Sequence, residues 1–203
     1  MFNKYALGIF LLFAALPAAV SAWSLKKNES GIQIYTRPAK NSSIDEFKGE
    51  MIVNASLPGI IKLVQNMPAC SQWIKYCKQG KFLKKESEKV TYTYTLTSLP
   101  WPMDNRDTVV KNTIEYYPEN KGAKISFDGA PDFIPVAEGI TRIRKVNGFW
   151  EFSKLENGSY KITYQVLSDP GNIPAWMVNM GIVDQPFETL RNMKVMLTKE
   201  AYK

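Results

Sequence analysis

The chain of 203 residues contains no histidine. That absence excludes the Ser-His-Asp and Cys-His catalytic machineries, HExxH metalloprotease centres and the common zinc sites. Cysteine is nearly absent too: Cys70 and Cys77 are the only two, and without a CxxC spacing they give redox catalysis no support. No cofactor and no metal are expected. Long apolar runs are missing beyond the N-terminus. There Lys4 supplies a positive n-region, Tyr5 to Leu16 an apolar stretch, and Val20, Ser21 and Ala22 a small-residue cleavage site. The stretch falls short of the about 20 residues that cross a bilayer. Residues 1–22 therefore read as a secretory signal peptide, with a retained anchor as the alternative. Residues 23–203 read as one exported, periplasmic domain whose size fits a single core.

What is present begins with charge. The chain carries +7, and loss of Lys4 with the leader leaves +6. Apart from Lys75, Lys78, Lys81, Lys84 and Lys85 the basic residues are scattered, and no nucleic-acid motif accompanies them. The excess reads as solubility together with attraction to anionic lipid surfaces, so transient membrane contact is expected and nucleic acid is not. In an oxidising compartment Cys70 and Cys77 are candidates for a disulfide. A continuous helix would hold their Cα atoms about 10 Å apart, beyond bridging reach, so a bridge requires a break between them. Pro68 makes an irregular segment plausible; two buried thiols are the other reading.

Period-two patterns at Gly31 to Arg37 and Ile44 to Val53 predict two strands, and Asn54 to Met67 a short helix that Pro68 ends. Six further segments rich in β-branched and aromatic residues follow between turn signals: 81–89, 90–96, 108–117, 122–128, 139–155 and 159–167. Tyr92 and Tyr94 alternate with Thr91, Thr93 and Thr95, as in a half-buried antiparallel strand. After Pro170, Gly171 and Pro174, the residues Trp176, Met180, Val183, Phe187, Leu190, Met193 and Leu197 recur every three or four positions, the stripe of one long helix. Pro186 should kink this helix or split it, with Asp184 as a new cap. Hairpin-fed strands make an antiparallel sheet, and only the last helix is long enough to cover it. The expected class is α+β with a helix-grip fold: a curved antiparallel sheet wrapped around the C-terminal helix and able to enclose a hydrophobic cavity.

Four short motifs stand in series on that element order: Trp73; LPWPMDNRD at 99–107; GITRIRKVNGFWEF at 139–152; and DPGNIPAWMVN at 169–179. Together they resemble the START family of lipid-transfer domains, in its bacterial exported branch, over nearly all of residues 23–203. The resemblance implies a tunnel holding one lipid, gated by loops and the C-terminal helix, with no enzymatic step. It makes Trp73, Trp101, Arg106, Arg142, Trp176, Met180, Val183, Phe187 and Leu190 the candidate lipid-binding or gate residues. Each has a plainer reading. Stiffened by Pro100 and Pro102, Trp101 lines the mouth or plugs the core. The arginines meet a head group or form structural ion pairs, with Asp169 a candidate partner for Arg106. The helix stripe is ligand contact, core or both. Arg106 and Asp107, adjacent in a strand, must face opposite sides of the sheet.

START domains that carry sterol place an acidic and a basic residue opposite each other inside the cavity. This chain has Thr93 or Thr95 and Asn112 at those places, which implies a more neutral space suited to acyl chains. The leading expectation is a monomeric, non-enzymatic lipid-binding or lipid-transfer protein. The alternatives are a cyclase- or aromatase-like enzyme built on Arg106, Asp107, Arg142, Asp169 or Tyr164, and a structural envelope protein whose core is filled.

Overall fold

Ten strands and three α-helices are found in the computed structural model, which describes residues 22–99 and 103–203. Residues 1–21, nearly all of the segment expected to be a signal peptide, and Trp101 lie outside the described residues. The strands are β1 (Ser24–Glu29), β2 (Ile32–Pro38), β3 (Asp45–Val53), β4 (Cys77–Lys85), β5 (Val90–Thr97), β6 (Arg106–Tyr116), β7 (Gly122–Gly129), β8 (Thr141–Arg142), β9 (Lys145–Lys154) and β10 (Tyr160–Asp169). They form one sheet in the order β1-β2-β3-β10-β9-β7-β6-β5-β4, antiparallel throughout, with the short β8 lying parallel to β6 off this path. This is the expected α+β helix-grip arrangement.

Strand β1 was not legible as a strand. Its sequence SLKKNE has no apolar alternation, and the structure leaves it mostly exposed at the sheet edge. It forms because Ser30 and Gly31, both at positive φ (54° and 72°), close a two-residue hairpin onto β2. The expected strand at 139–155 divides into β8 and β9, and Arg144 falls between them. Register shifts interrupt β4 against β5 at Gln79 and again at Lys84. Such bulges add local bend and twist, which helps the sheet curl.

Helix α1 (Leu57–Gln65) starts at Ser56, whose hydroxyl accepts from the Gly59 N–H. It buries Ile60, Ile61 and Leu63. The C-terminal helix is split, as Pro186 suggested, into α2 (Ala175–Gly181) and α3 (Asp184–Met196). Asp184 is not the cap, however. Val183 holds that place without a side-chain hydrogen bond, and Asp184 opens the first turn. Pro186 then sits within the first turn of α3, where a missing N–H breaks no helical bond. The core joins α3 (Phe187, Leu190, Met193 and Met196) to α1 and to the inner faces of β2, β3, β9 and β10 through Ile32, Ile34, Met51, Phe152 and Ile162.

Cys70 and Cys77 are bridged, with Cα atoms 5.9 Å apart. The break that the bridge requires is made by a 3-10 turn at Met67–Gln72 and by Tyr76 at φ 67°. The turn lies directly on β4 at Gly80, where a Cβ would meet the Met67 carbonyl oxygen at 2.3 Å. We expect the non-reduced, denatured protein to show no reactive thiol. Replacing both cysteines by alanine should lower stability by about 2–3 kcal/mol in urea unfolding, the chain-entropy value for so short a loop.

Candidate functional site

Because side chains alternate along a strand, β5 sends Thr93, Thr95 and Thr97 to the concave face and Tyr92, Tyr94 and Leu96 to the convex one. Tyr92 stacks on Phe133 of the 130–140 loop, with ring centroids 4.1 Å apart. β6 follows the same rule: Arg106, Thr108, Val110 and Asn112 face inward with the threonines, and Asp107 and Val109 face outward. With Ile125 and Phe127 of β7, Trp150 of β9, and Tyr164 and Val166 of β10, these residues line a cavity of about 490 Å³. That volume falls in the range of about 300–1,000 Å³ usual for small-molecule sites. A filled core would leave almost none.

One end of the cavity is aromatic. Trp150 stacks on Tyr164 at 3.7 Å, and Trp73 lies 5.8 Å from Trp150. Two hydrogen bonds from the Trp73 segment hold it to α3: the Lys75 N–H donates to Thr189 Oγ1 (3.1 Å), and Asn192 Nδ2 donates to the Trp73 carbonyl (3.3 Å). Burial pushes the Tyr164 phenol well above its ordinary value near 10. Midway along β6, Asn112 Nδ2 donates to Thr93 Oγ1 at 3.0 Å. A neutral hydrogen bond thus joins the two inward positions, and Thr93 rather than Thr95 is the partner.

The two arginines divide sharply. Arg142 lies outside the cavity lining, on the convex side. Its Nε and Nη2 donate to the two carboxylate oxygens of Asp107 at 2.6 and 2.9 Å. Its remaining donors reach the carbonyls of Pro131, Ile134 (3.1 Å) and Pro135 (3.3 Å). The hydrogen bond to Asp107 pushes its pKa further up, so it stays charged. This is a structural pair that ties the 131–135 loop to β6, and Arg142 has no donor left for a ligand. Arg106 lines the cavity and is 3% exposed, yet among the described residues no carboxylate pairs with it. Nε donates to the Pro170 carbonyl at 3.3 Å and Nη1 to the Asp104 carbonyl. Asp169 is engaged elsewhere, accepting the Gly171 N–H at 3.0 Å.

The helix stripe needs correction. Trp176 and Met180 point to solvent, 65% and 72% exposed. Val183 is half-buried against the core, and Phe187 and Leu190 lie wholly within it. None of the five lines the cavity. The roof is the other face: Met177, Val178 and Gly181 of α2, then Ile182 beyond its end. Both faces of α2 are apolar, so periodicity alone could not choose between them. The break at 182–183 then lets α3 bury a stripe out of phase with the roof. Of the nine candidates, Trp73 and Arg106 meet at the cavity, and Trp101 lies outside the described residues.

A curved sheet closed by a C-terminal helix surrounds an apolar cavity of the size usual for a small-molecule site. The START domain family matches residues 16–185. An uncharacterized protein of Pseudomonas aeruginosa is 30% identical over 178 residues, covering 87% of each chain. The crystal structure of a STAR-related lipid transfer protein fragment from Xanthomonas axonopodis superposes with a TM-score of 0.81 at 31% identity, over 87% of this chain and 99% of that one. A phosphatidylcholine transfer protein of Rattus norvegicus is 22% identical over 177 residues, 80% of this chain and 78% of its own. The chain belongs to the START domain family. Its general role is that of a non-enzymatic lipid-binding protein.

Two measurements check this geometry. Asp107→Ala leaves Arg142 charged and buried without its partner, and we expect a loss of about 3–5 kcal/mol in denaturant unfolding. Tyr164 favours its neutral form in the fold, so its stabilisation is complete below pH 10 and is lost as pH rises toward the higher folded value. Between pH 9.5 and 11.5 the unfolding midpoint should fall more steeply for the natural protein than for Tyr164→Phe.

Proposed function

We propose that the protein is an exported, periplasmic lipid carrier that acts as a monomer, holds one lipid in the cavity and exchanges it during transient contact with a membrane surface. One observation carries this reading: the cavity is roofed by α2, a seven-residue helix that is apolar on both faces. Met177 and Val178 face the space within, and Trp176 and Met180 face solvent. An apolar outer surface there has no fold-stabilising purpose, and suits contact with acyl chains at a bilayer surface. Polar side chains tie α2 to the loop before β3: Asn179 Oδ1 accepts the Asp45 N–H at 2.9 Å, and Asn179 Nδ2 donates to the Ser43 carbonyl at 3.2 Å. These two exposed or half-exposed bonds are weak enough to open.

Binding needs no covalent step, because each buried methylene contributes about 0.8 kcal/mol. Export is supported by the leader-like N-terminus, and membrane contact by the +6 charge that remains once Lys4 leaves with it. Protein purified under native conditions should carry a co-purifying lipid, seen by native mass spectrometry and solvent extraction. Val110→Trp, which places an indole in the middle of the cavity, should keep the circular dichroism spectrum and abolish lipid uptake from vesicles. Empty protein that takes up nothing from vesicles would refute the carrier reading.

A further inference from the structure

We infer that the cavity selects amphiphiles with an anionic head, a carboxylate or a phosphate, and that Arg106 is the group that receives it. The inference rests on the carrier reading above. It starts from a charge without a counter-charge. Arg106 is a guanidinium 3% exposed on the cavity wall, held by carbonyl dipoles of Asp104 and Pro170 and by no carboxylate among the described residues. A buried ion is costly unless paired, and carbonyls alone compensate it only in part.

Arg142 shows what this fold does with an arginine meant to be structural. One strand away in register, it is saturated by a bidentate Asp107 and three carbonyls. Arg106, on the opposite face, has been left open toward the space. Asp45, Lys75 and Asp184 also border the cavity, but each is at least partly exposed, so water screens it. The field inside is therefore set by one buried positive charge at one end.

The geometry around it fits an amphiphile. From Arg106, the inward residues of β6 run through Thr108 and Val110 to Asn112, six residues on and roughly 20 Å away at about 3.4 Å per residue. Beyond them the space is walled by Trp150 and Tyr164. A head on Arg106 thus leaves an extended chain running toward the aromatic end. The planar guanidinium matches two oxygens of a carboxylate or phosphate in a fork that a neutral hydroxyl cannot fill.

The test uses delipidated full-length mature protein and three probes sharing one chain: oleate, 1-oleoyl-lysophosphatidate and oleyl alcohol, by titration calorimetry at pH 8. Both anions should bind at least about tenfold more tightly than the alcohol, the scale of a charged hydrogen bond. The stronger of the two anions separates a carboxylate preference from a phosphate one. Arg106→Gln, which keeps a donor for the neighbouring carbonyls, should remove the advantage and leave the alcohol within about twofold. Equal affinity of the natural protein for oleate and oleyl alcohol overturns the assignment, and needs no variant. So does an anion preference that survives in a folded Arg106→Gln. If none of the three probes binds and nothing is taken from vesicles, the carrier reading itself has failed.

Discussion

Leu190 of α3 rests on the backbone of Gly49, where a Cβ would lie 2.6 Å from its Cδ1 and 3.1 Å from Ile34 Cδ1. The helix is therefore pressed flat onto β2 and β3, and its apolar stripe is used up there as core. A sheet of this many strands cannot stay flat, because each strand is rotated against the next by about 20–25°. Over β5, β6 and β7 it has curled away from the line of α3. The cavity follows from this one close contact: a single helix seated at one end of a curled sheet leaves the other end uncovered. α2 closes the gap only because the chain breaks at residues 182–183 and sets off in a new direction.

The same geometry accounts for an inversion along β5. In a sheet facing a solid core, tyrosine would point inward and threonine outward. Here Thr93, Thr95 and Thr97 point into the fold, and Tyr92 and Tyr94 point out. The convex face at this end is covered by the 130–140 loop, which gives Tyr92 its stacking partner and closes over Val109, fully buried. The Asp107–Arg142 pair holds that loop in place. Small side chains inside keep the space open, and large ones outside supply the packing that the cavity withholds.

Legibility in the sequence followed the number of ways a pattern could be satisfied. Strands with clean alternation, such as β2 and β5, were readable because one face had to be buried, and β7 was readable from its β-branched and aromatic residues between turn signals. The opposition of Arg106 and Asp107 was also readable, since it depends only on the pleat. The polar strand β1 was not, because its existence depends on the Ser30-Gly31 turn rather than on its own residues. The roof was missed for a different reason. Trp176, Met180 and Val183 form a perfect stripe, but Met177, Val178, Gly181 and Ile182 form a second one nearly half a turn away. A helix between water and a cavity has no polar face to break the tie. The partner of Arg142 was likewise invisible, since it depends on where a long loop returns.

The energetics of the space bear on how the molecule exists. Cavities left in apolar cores cost about 24 cal/mol per Å³. For about 490 Å³ that is on the order of 10 kcal/mol, comparable with the whole net stability of a domain. A closed, dry space of this size would be that costly, which favours an occupant. Water needs two to four polar partners, and the threonine and asparagine row offers them along one wall only. The aromatic end, formed by Trp73, Trp150, Tyr164 and Phe127, offers few. An acyl chain meets both conditions: it replaces the missing core where the wall is apolar and leaves the polar row to its own Thr93–Asn112 hydrogen bond. On the carrier reading proposed above, the lipid would be the last piece of the hydrophobic core, and a ligand that binds only the folded state raises stability in proportion to the logarithm of its concentration over its dissociation constant. Carrying and folding would then draw on the same contacts. Under that proposal, release at a membrane would need a competing apolar surface, and the outward face of α2, with Trp176 and Met180 exposed, is the one this fold offers to it.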